Sequence, residues 1–413
     1  MLSLRSLLFS IFVFSFLVAI CHGEICTVTP GPKGKDDAPA IVNAFRRCGQ
    51  NGKVIFLNKT YHINSVMNTT ALRNCEIDLQ GTLLWSNDID YWLKHSMSIG
   101  YQNQSTVWFL GGDNITFHGG GVGTFDGNGQ AWYEFVKGVS NYPRRPMGLT
   151  IWRARNSVFK GLRFIKSQMW TMTIIHSKSI LLEDIYVNSS SSTRRPARNT
   201  DGADTMFSDD ITFRRWTVVN GDDGISVKAN TTNTLIEDSV FYGLGFAIGS
   251  IGQYAGVFET IQNITFRNSV YKGRSQAAYI KTWTGKSKGY PPNGGGGGLG
   301  FIHNITVTNI TIANGTAVFG INRCTHFTNG GEAGDCGTSQ FQIHDVSISH
   351  IRGNISKDVI ADLRCSAAAP CSRIGFDDVH VFNSATGNRS TRYKCDSVVD
   401  PKGTICARKK SQT

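Results

Sequence analysis

ITFRNSVY at Ile264–Tyr271 and ITVTNITI at Ile305–Ile312 share one phrase, in which apolar and polar residues alternate and asparagine stands fifth. The fifth residues of this phrase and its relatives are Gly119, Asp184, Arg215, Asp238, Asn268, Asn309, Asp345 and Asp378. Successive gaps from Asp184 onward are 31, 23, 30, 41, 36 and 33 residues. Alternation over so few residues favours strands over helices. A constant phrase at irregular spacing is typical of a β-solenoid, whose coils carry loops of different lengths.

The asparagine and aspartate markers fit the corners of such a solenoid. These residues tolerate left-handed backbone geometry and hydrogen-bond to their own turns. A β-sandwich would also explain the alternation, but it does not explain the recurring phrase. The sequence therefore predicts an all-β fold built as a solenoid of short strands.

One early segment has helical rather than strand periodicity. DDAPAIVNAFRRC offers Asp36 or Asp37 as a cap and places Ile41, Phe45 and Cys48 on one face. The first coil of a solenoid exposes an apolar end that needs a cover. We therefore predict a short N-terminal capping helix and a single domain over residues 24–413.

The N-terminal residues, the glycosylation sequons and the cysteines predict export. Residues 1–23 read as a signal peptide, with Arg5 before a short apolar run. Twelve Asn-x-Ser/Thr sequons follow, although those that begin NIT segments are equally well explained as turn asparagines. Close cysteine pairs predict local disulfides, and Cys75 is the candidate for the unpaired thiol; the pairs are Cys324/Cys336, Cys365/Cys371 and Cys395/Cys406.

The chain is basic, with a formal net charge of +12 and only 17% charged residues. Such a protein attracts polyanions, either nucleic acid or acidic polysaccharide, unless the charge serves solubility alone. The aromatic–basic interleaving of an RNA-binding sheet is missing, and so is the His/Cys spacing of a zinc motif. We expect a secreted monomer that needs no metal or cofactor and binds neither nucleic acid nor membrane.

Two aspartate phrases carry the candidate chemistry. RNTDGAD contains Asp201, and NGDDGISVK contains Asp222 and Asp223. Asp201 and Asp222 are 21 residues apart, about one short coil, so adjacent coils would hold them side by side. Like charges held that close raise the pKa of at least one carboxyl. A protonated carboxyl beside an ionised one suits glycoside hydrolysis, whereas either phrase alone also reads as a turn, a solvated loop or a calcium site.

Four ordered phrases resemble the polygalacturonases of glycoside hydrolase family 28, and the likeness spans nearly the whole chain after the signal. The phrases are NTDG (199–202), GDDGISVK (221–228), GLGFAIGS (243–250) and YIKTW (279–283). The resemblance implies a right-handed parallel β-helix that hydrolyses α-linked galacturonic acid chains with inversion. It implies Asp222 as general acid and Asp201 and Asp223 as the carboxylates that activate water. It also matches Lys281 to the residue that meets the substrate carboxylate.

Two departures from the family pattern bear on specificity. Leu244 stands where endo-acting members carry histidine, and Tyr279 stands where they carry arginine. The chain is more similar to the exo-acting galacturonidases and exo-rhamnogalacturonases, which implies release of galacturonic acid from the ends of plant pectin. Lys228 and Asn199 lie in the same phrases as the aspartates and, with Tyr279 and Lys281, are predicted to bind substrate.

Other activities stay open at this stage. Exo-acting hydrolysis of rhamnogalacturonan, endo-polygalacturonase activity and an inactive polysaccharide-binding homologue all fit the phrases. A pectate lyase would share the solenoid and the substrate but would need calcium and an arginine base.

Overall fold

The computed structural model describes residues 23–287, 295–325, 335–402 and 406. These described residues form three helices, α1 (Ala38–Cys48), α2 (Ile89–His95) and α3 (Gly129–Val136). The strands of the first half are β1 (Ile25–Val28), β2 (Lys53–Phe56), β3 (Thr60–Ile63), β4 (Met67–Leu79), β5 (Thr82–Trp85), β6 (Met97–Ser98), β7 (Ser105–Thr106), β8 (Trp108–His118), β9 (Thr124–Asp126), β10 (Pro146–Met147), β11 (Leu149–Trp152), β12 (Arg155–Lys160), β13 (Arg163–Ile165), β14 (Met172–Ile175), β15 (Lys178–Glu183) and β16 (Tyr186–Asn188).

The strands of the second half are β17 (Ala203–Met206), β18 (Asp209–Arg214), β19 (Thr217–Val219), β20 (Ile225–Val227), β21 (Thr231–Glu237), β22 (Val240–Phe241), β23 (Phe246–Ile251), β24 (Phe258–Tyr271), β25 (Gln276–Trp283), β26 (Leu299–Gly315), β27 (Ala317–Thr325), β28 (Gln342–Ile355), β29 (Ala361–Arg364), β30 (Cys371–Asn383), β31 (Tyr393–Asp396) and β32 (Val398–Val399).

Apart from β6, β7 and β10, which form a small separate sheet, the strands stack in parallel as the coils of a right-handed β-helix with three faces, which confirms the predicted fold class. One face runs from β1 and β2 through β12, β15, β18 and β21 to β32. A second runs from β3 and β5 through β9, β13, β16, β19 and β22. The third face stacks β11, β14, β17, β20, β23, β25, β27, β29 and β31. The long strands β24, β26, β28 and β30 bend around a corner and contribute to two faces.

The predicted corner residues adopt the left-handed backbone that asparagine and aspartate tolerate. Asn268 and Asn309 have φ of 51° and 53°, and the Asn309 amide donates to Asn268 Oδ1 at 3.0 Å. Asn304 donates in the same way to Asn263 at 2.9 Å. These NIT asparagines are therefore ladder residues of the turns.

One predicted marker was assigned to the wrong corner. Strand pairing aligns Ile305 with Val346, so the residue that stacks on Asn309 is His350, with φ 52°. Asp345 stacks on Asn304 instead, at the preceding corner. The error arose because two corners five residues apart carry the same preference for left-handed geometry, and a single phrase does not distinguish them.

Helix α1 covers the first coil, as predicted, and buries Ile41, Phe45 and Cys48. The two aspartates predicted as its cap have different roles. Asp37 occupies the cap position, but its carboxylate accepts from the backbone of Gly31 and His62. Asp36 accepts from the Ala38 N–H at 3.1 Å. Both aspartates are structural.

The predicted local disulfides are confirmed, and they join Cys324 to Cys336, Cys365 to Cys371 and Cys395 to Cys406. A fourth joins Cys26 to Cys48, so α1 is fastened to β1. Cys75 is free and buried, as predicted. Burial raises the pKa of the Cys75 thiol to about 12, so it is a core residue rather than a reactive thiol.

The predicted signal peptide lies almost wholly outside the described residues and stays a prediction. None of the described helices has both the length and the apolar character needed to cross a membrane.

Candidate active site

The predicted aspartates lie in the turns that lead into the third face. Asp201 stands two residues before β17, and Asp223 stands two residues before β20. The pairing of Ala203 with Ile225 stacks Asp201 on Asp223, and the Gly202 N–H donates to the Asp223 carbonyl at 3.0 Å. The sequence predicted that Asp201 would stack on Asp222. In the structure it stacks on Asp223, because the coil is 22 rather than 21 residues long.

Asp201, Asp222 and Asp223 form one cluster, the carboxylate cluster. One oxygen of each lies within 4.8 Å of the others. Asp222 accepts two backbone hydrogen bonds, one from Asn199 and one from Asp223, both at 3.0 Å. These bonds fix Asp222 at the partly exposed edge of the cluster, while Asp201 and Asp223 are buried. The arrangement offers one accessible acid backed by two enclosed ones.

Tyr279 and Lys281 reach the cluster from a strand two coils further along the third face. The Lys281 ammonium lies 2.6 Å from Asp223 Oδ2, and the Tyr279 hydroxyl donates to Asp223 Oδ1. Strand β23 lies between them and pairs Ala247 with Tyr279 and Gly249 with Lys281. The small residues on β23 leave room for both long side chains to cover it. Both predicted substrate binders are thus partners of a catalytic candidate.

The electrostatics of the carboxylate cluster favour a retained proton. Burial raises the pKa of Asp201 well above its ordinary value, and neighbouring aspartates add to the effect. Burial and Asp223 also raise the pKa of Asp222, while Lys281 and the two backbone donors oppose them. Burial alone would lower the pKa of Lys281, but Asp223 and Asp222 outweigh it and raise it. Lys281 therefore remains charged while a neighbouring carboxyl stays neutral.

The phrase RNTDGAD also contains Asp204, a further buried carboxylate for which the sequence predicted no role. It lies on β17, fully buried, and its Oδ1 is 3.2 Å from the Lys228 ammonium. Burial raises the pKa of Asp204 to about 7, against the opposing effect of Lys228. Lys228 also donates to Ser226 at 3.1 Å and lies over the Trp170 ring at 4.9 Å. Its ammonium is therefore engaged by the protein, and a bound sugar would have to share it.

Asn199 and Arg145 organise the wall behind Asp222. With its amide oriented to satisfy its neighbours, Asn199 donates to Asn141 Oδ1 at 2.8 Å and accepts from the Trp170 indole. Arg145 is fully buried and donates to the Gln168 carbonyl at 2.6 Å. Burial lowers the pKa of Arg145 to about 10, while Tyr133 and Asp222 oppose the shift. Nothing in the sequence around Arg145 indicated this position.

Leu244 stacks in the next coil, and its N–H donates to the Asp222 carbonyl at 2.8 Å. It borders an open cavity of about 500 Å³, which is also lined by Tyr242, Arg195 and Arg274. Arg195 is exposed and lies 3.7 Å from Glu134. Arg274 is exposed as well, and neither guanidinium is buried in the protein. The cavity beside Asp222 is therefore bordered by Leu244 and Tyr242 and by polar groups such as Thr193 and Asn220, and it has a basic rim of two exposed arginines.

The carboxylate cluster is also the kind of oxygen set that a hard divalent cation binds. Lys281 already supplies a positive charge at Asp223, at 2.6 Å. Part of the negative charge is thus neutralised by the protein.

Comparisons with known proteins agree with this architecture. The sequence profile of the glycosyl hydrolases family 28 matches residues 57–406. The chain is 51% identical over 385 residues to the alpha-L-rhamnosidase rgxB of Aspergillus niger, covering 92% of this chain and 89% of that protein. It is 33% identical to an exopolygalacturonase of Cochliobolus carbonum, covering 90% and 83%.

Among solved structures, the endo-xylogalacturonan hydrolase of Aspergillus tubingensis superposes with a TM-score of 0.77 at 25% identity, covering 93% of this chain and 100% of that one. The polygalacturonase of Erwinia carotovora superposes with a TM-score of 0.62 at 18% identity, covering 92% and 97%, and shares the fold. On the extent of these matches, the chain belongs to the glycosyl hydrolases of family 28.

Proposed function

We propose that this protein is an exo-acting glycoside hydrolase that removes terminal rhamnose from rhamnogalacturonan, the pectic chain in which rhamnose and galacturonic acid alternate. The observation that carries the proposal is the replacement, beside Asp222, of two cationic positions of the endo-acting pattern by uncharged residues. Leu244 and Tyr279 stand at these positions, Lys281 is paired with Asp223, and the guanidiniums of Arg195 and Arg274 lie at the exposed rim of the cavity.

Charge and shape distinguish the two candidate sugars. Rhamnose is a 6-deoxy sugar with a methyl group where galacturonic acid has a carboxylate. A buried carboxylate needs a free cation, whereas a methyl group gains from apolar surroundings. Leu244 supplies an apolar contact beside Asp222, so the site suits the neutral sugar. The 51% identity to an alpha-L-rhamnosidase supports the same choice.

The basic rim suits the acidic neighbour of that rhamnose. Removing a terminal rhamnose leaves galacturonic acid on the departing side of the bond. Arginine binds carboxylates in a bidentate manner. Arg195 and Arg274 line the cavity next to Asp222 and are well placed to hold that carboxylate.

The carboxylate cluster supplies the chemistry. Protonated Asp222 gives its proton to the glycosidic oxygen as the bond to the anomeric carbon breaks. Asp201 and Asp223 orient a water, and its oxygen attacks that carbon while Asp223, the carboxylate paired with Lys281, takes its proton. Both oxygens of Asp223 are already engaged by Tyr279 and Lys281, so Asp223 is poorly suited to act as a nucleophile. This supports hydrolysis with inversion, although the short carboxylate separation by itself resembles that of retaining enzymes.

A wall beside the cluster supports attack at chain ends. The Gln102 side chain donates to Gln253 at 3.0 Å, and its backbone N–H donates to the Tyr254 hydroxyl at 2.8 Å. The Tyr101 ring packs against Phe207 and Tyr254, with centroids 6.1 and 5.9 Å apart. Phe207 follows β17, the strand that contains Asp204, so this segment packs against the third face beside that strand.

Release of galacturonic acid is the second candidate, because the chain is also 33% identical to an exopolygalacturonase. We further propose that the protein is secreted, as its disulfides indicate, and acts as a monomer.

Product analysis decides between the two sugars. The purified enzyme is incubated with rhamnose-terminated rhamnogalacturonan oligomers and, separately, with a galacturonate hexamer, and products are followed by chromatography. Rhamnose as the sole early product supports the proposal, and galacturonic acid monomer from the hexamer alone overturns it. Proton NMR of the first anomer released tests inversion. Asp222→Asn serves as the inactive control.

The same assay separates hydrolysis from the lyase alternative. A chelator should leave the initial rate unchanged, and no product should gain ultraviolet absorbance. Loss of activity with the chelator, together with an unsaturated product, would indicate a calcium-dependent lyase instead.

A further inference from the structure

We propose that His303, His344 and Asp345 form a binding site for a divalent transition-metal ion, with zinc as the first candidate. His303 lies on β26 and pairs directly with His344 on β28. The two residues are 41 positions apart in the chain, which is one full coil of the solenoid. The site lies on a different face from the carboxylate cluster and does not depend on the proposed reaction.

Three donor atoms converge at this point. His303 Nδ1 lies 3.1 Å from His344 Nδ1 and 3.2 Å from Asp345 Oδ2, and His344 Nδ1 lies 2.8 Å from the same oxygen. Donors of a tetrahedral zinc ion at about 2.1 Å lie about 3.4 Å apart. The observed triangle is slightly tighter, and a small outward movement of each side chain would bring an ion to bonding distance from all three atoms. Two imidazole nitrogens and one carboxylate oxygen suit zinc, copper or nickel.

A protein cation already occupies the neighbourhood of these donors. Arg373 Nη2 lies 2.7 Å from Asp345 Oδ2 and 3.1 Å from His344 Nδ1. Arg373 Nε also contacts Asp345 Oδ1, at 2.6 Å. The Arg373 side chain is 41% exposed, so its guanidinium can turn as a unit toward solvent and give up these contacts. Arg373 is therefore a competitor for the metal, and removing it should strengthen binding.

A second cluster of the same composition provides a matched control. Asp378 is approached by His350 Nδ1 at 2.7 Å and by His380 Nε2 at 3.2 Å, with Arg352 Nη2 at 2.7 Å. Here the histidines contact opposite oxygens of the carboxylate, so their nitrogens do not converge on one point. The same residue types thus occur twice on neighbouring coils, and only the first set has ligand geometry among the described residues.

A bound ion would link two adjacent coils. His303 and His344 belong to adjacent strands, and an ion held by both adds a link that the unfolded chain lacks. A metal that binds only the native state stabilises it by RT ln(1 + [metal]/Kd), so the melting temperature rises with the concentration of free metal.

The test uses the full chain without an affinity tag, after treatment with chelator. Zinc binding is measured by calorimetry, and the melting temperature is measured with and without zinc, for wild type, His303→Ala, Arg373→Ala and His350→Ala. We expect one site in the wild type, at least about tenfold weaker binding in His303→Ala, and tighter binding in Arg373→Ala. His350→Ala should bind zinc as the wild type does.

Two results would overturn the proposal. One is no zinc binding by either the wild type or Arg373→Ala. The other is equal loss of binding in His303→Ala and His350→Ala, which would mark adsorption to surface histidines in general. If His303→Ala is too unstable to purify, His303→Gln replaces it, because the amide keeps the side-chain volume but is a poor zinc ligand.

Discussion

Two faces of the solenoid stack acidic residues on adjacent coils, with opposite outcomes. On the face that contains β15, β18 and β21, an arginine ladder interleaves Glu183 and Glu237 with Arg214, Arg215 and Arg267. There burial opposes ionisation of Glu237, but Arg214 and Arg267 outweigh it and lower its pKa. In the carboxylate cluster the acids outnumber the cations, and the pKa values of Asp201 and Asp222 rise.

The difference teaches that stacking alone does not make a catalytic acid. Both sets share the strand spacing of a parallel sheet. What differs is the count of opposite charges and their exposure to water. The arginine ladder gives each glutamate a guanidinium; the glutamates are buried, but the arginines that pair with them are partly exposed. The carboxylate cluster has Lys281 as its cation and is enclosed, so a proton is retained there.

The largest expected effect comes from removing the proton donor. Asp222→Asn should lower kcat by about 10³-fold or more, because the amide keeps the side-chain shape and one of the two backbone hydrogen bonds but cannot protonate the leaving oxygen. The matched substitution in the arginine ladder is Glu237→Gln, which should leave kcat unchanged. Initial rates on rhamnogalacturonan oligomers measure both. Comparable losses of kcat in the two variants would show that the carboxylate cluster and the arginine ladder do not differ in function.

Lys281→Ala sharpens the role of the cation. It leaves buried Asp223 without its ion pair, so kcat should fall by about 10²-fold on neutral and acidic substrates alike. Lys281→Arg should restore part of the rate, since a cation is again present. A rise in KM for acidic oligomers, with kcat unchanged, would instead place Lys281 in carboxylate binding, as the sequence first suggested.

Specificity should follow charge at two positions. The double variant Leu244→His with Tyr279→Arg adds the cationic groups that endo-acting relatives carry. We expect the ratio of galacturonate to rhamnose release to rise by about tenfold or more, because a sugar carboxylate then finds a partner. Competition between the two oligomers in one reaction measures the ratio. An unchanged ratio would show that these two residues do not determine specificity.

Asp201→Asn should stabilise the fold while it inactivates the enzyme. The raised pKa of Asp201 means that the native state holds a proton that the unfolded chain has lost, so native stability falls as pH rises above about 4. Asparagine has no such charge. The gain in free energy of unfolding should therefore be small near pH 3 and reach about 1 kcal/mol or more at neutral pH. Denaturant melts at both pH values check this, and a loss of stability at neutral pH would contradict it.

The smallest effect is expected in the arginine ladder. Glu237→Gln removes a carboxylate whose lowered pKa stabilises the native state above its unfolded pKa, and that contribution is lost as pH falls. Because Arg214 and Arg267 are partly exposed, the cost should be about 1 kcal/mol at neutral pH and near zero in acid. A gain in stability at neutral pH would show that burial of Glu237 outweighs its pairing.

The repeat phrases predicted the solenoid because each coil needs the same alternation of apolar and polar residues and the same left-handed corner. They misplaced Asp345 because two corners carry the same signal. The aspartate phrases predicted Asp201, Asp222 and Asp223, which stack on adjacent coils. Asp204 shared the phrase of Asp201 and was identifiable only once burial was known.

Other features had no local signal. Arg145 is buried behind Asp222 and donates to the Gln168 carbonyl, which is distant in sequence. His303 and His344 meet across a full coil, so no short spacing motif contains them. Tyr279 and Lys281 reach Asp223 across β23, where they pair with Ala247 and Gly249, and this register is not visible in any single phrase.

The pH dependence of kcat/KM tests the central claim, that enclosure of the carboxylate cluster keeps a proton on the enzyme. It is measured from about pH 3 to about pH 8 for wild type and for Glu237→Gln. We predict that both enzymes share one descending limb well above the ordinary aspartate pKa of about 4. A rate that falls away at the ordinary aspartate pKa, or that stays flat to pH 8, would contradict the account.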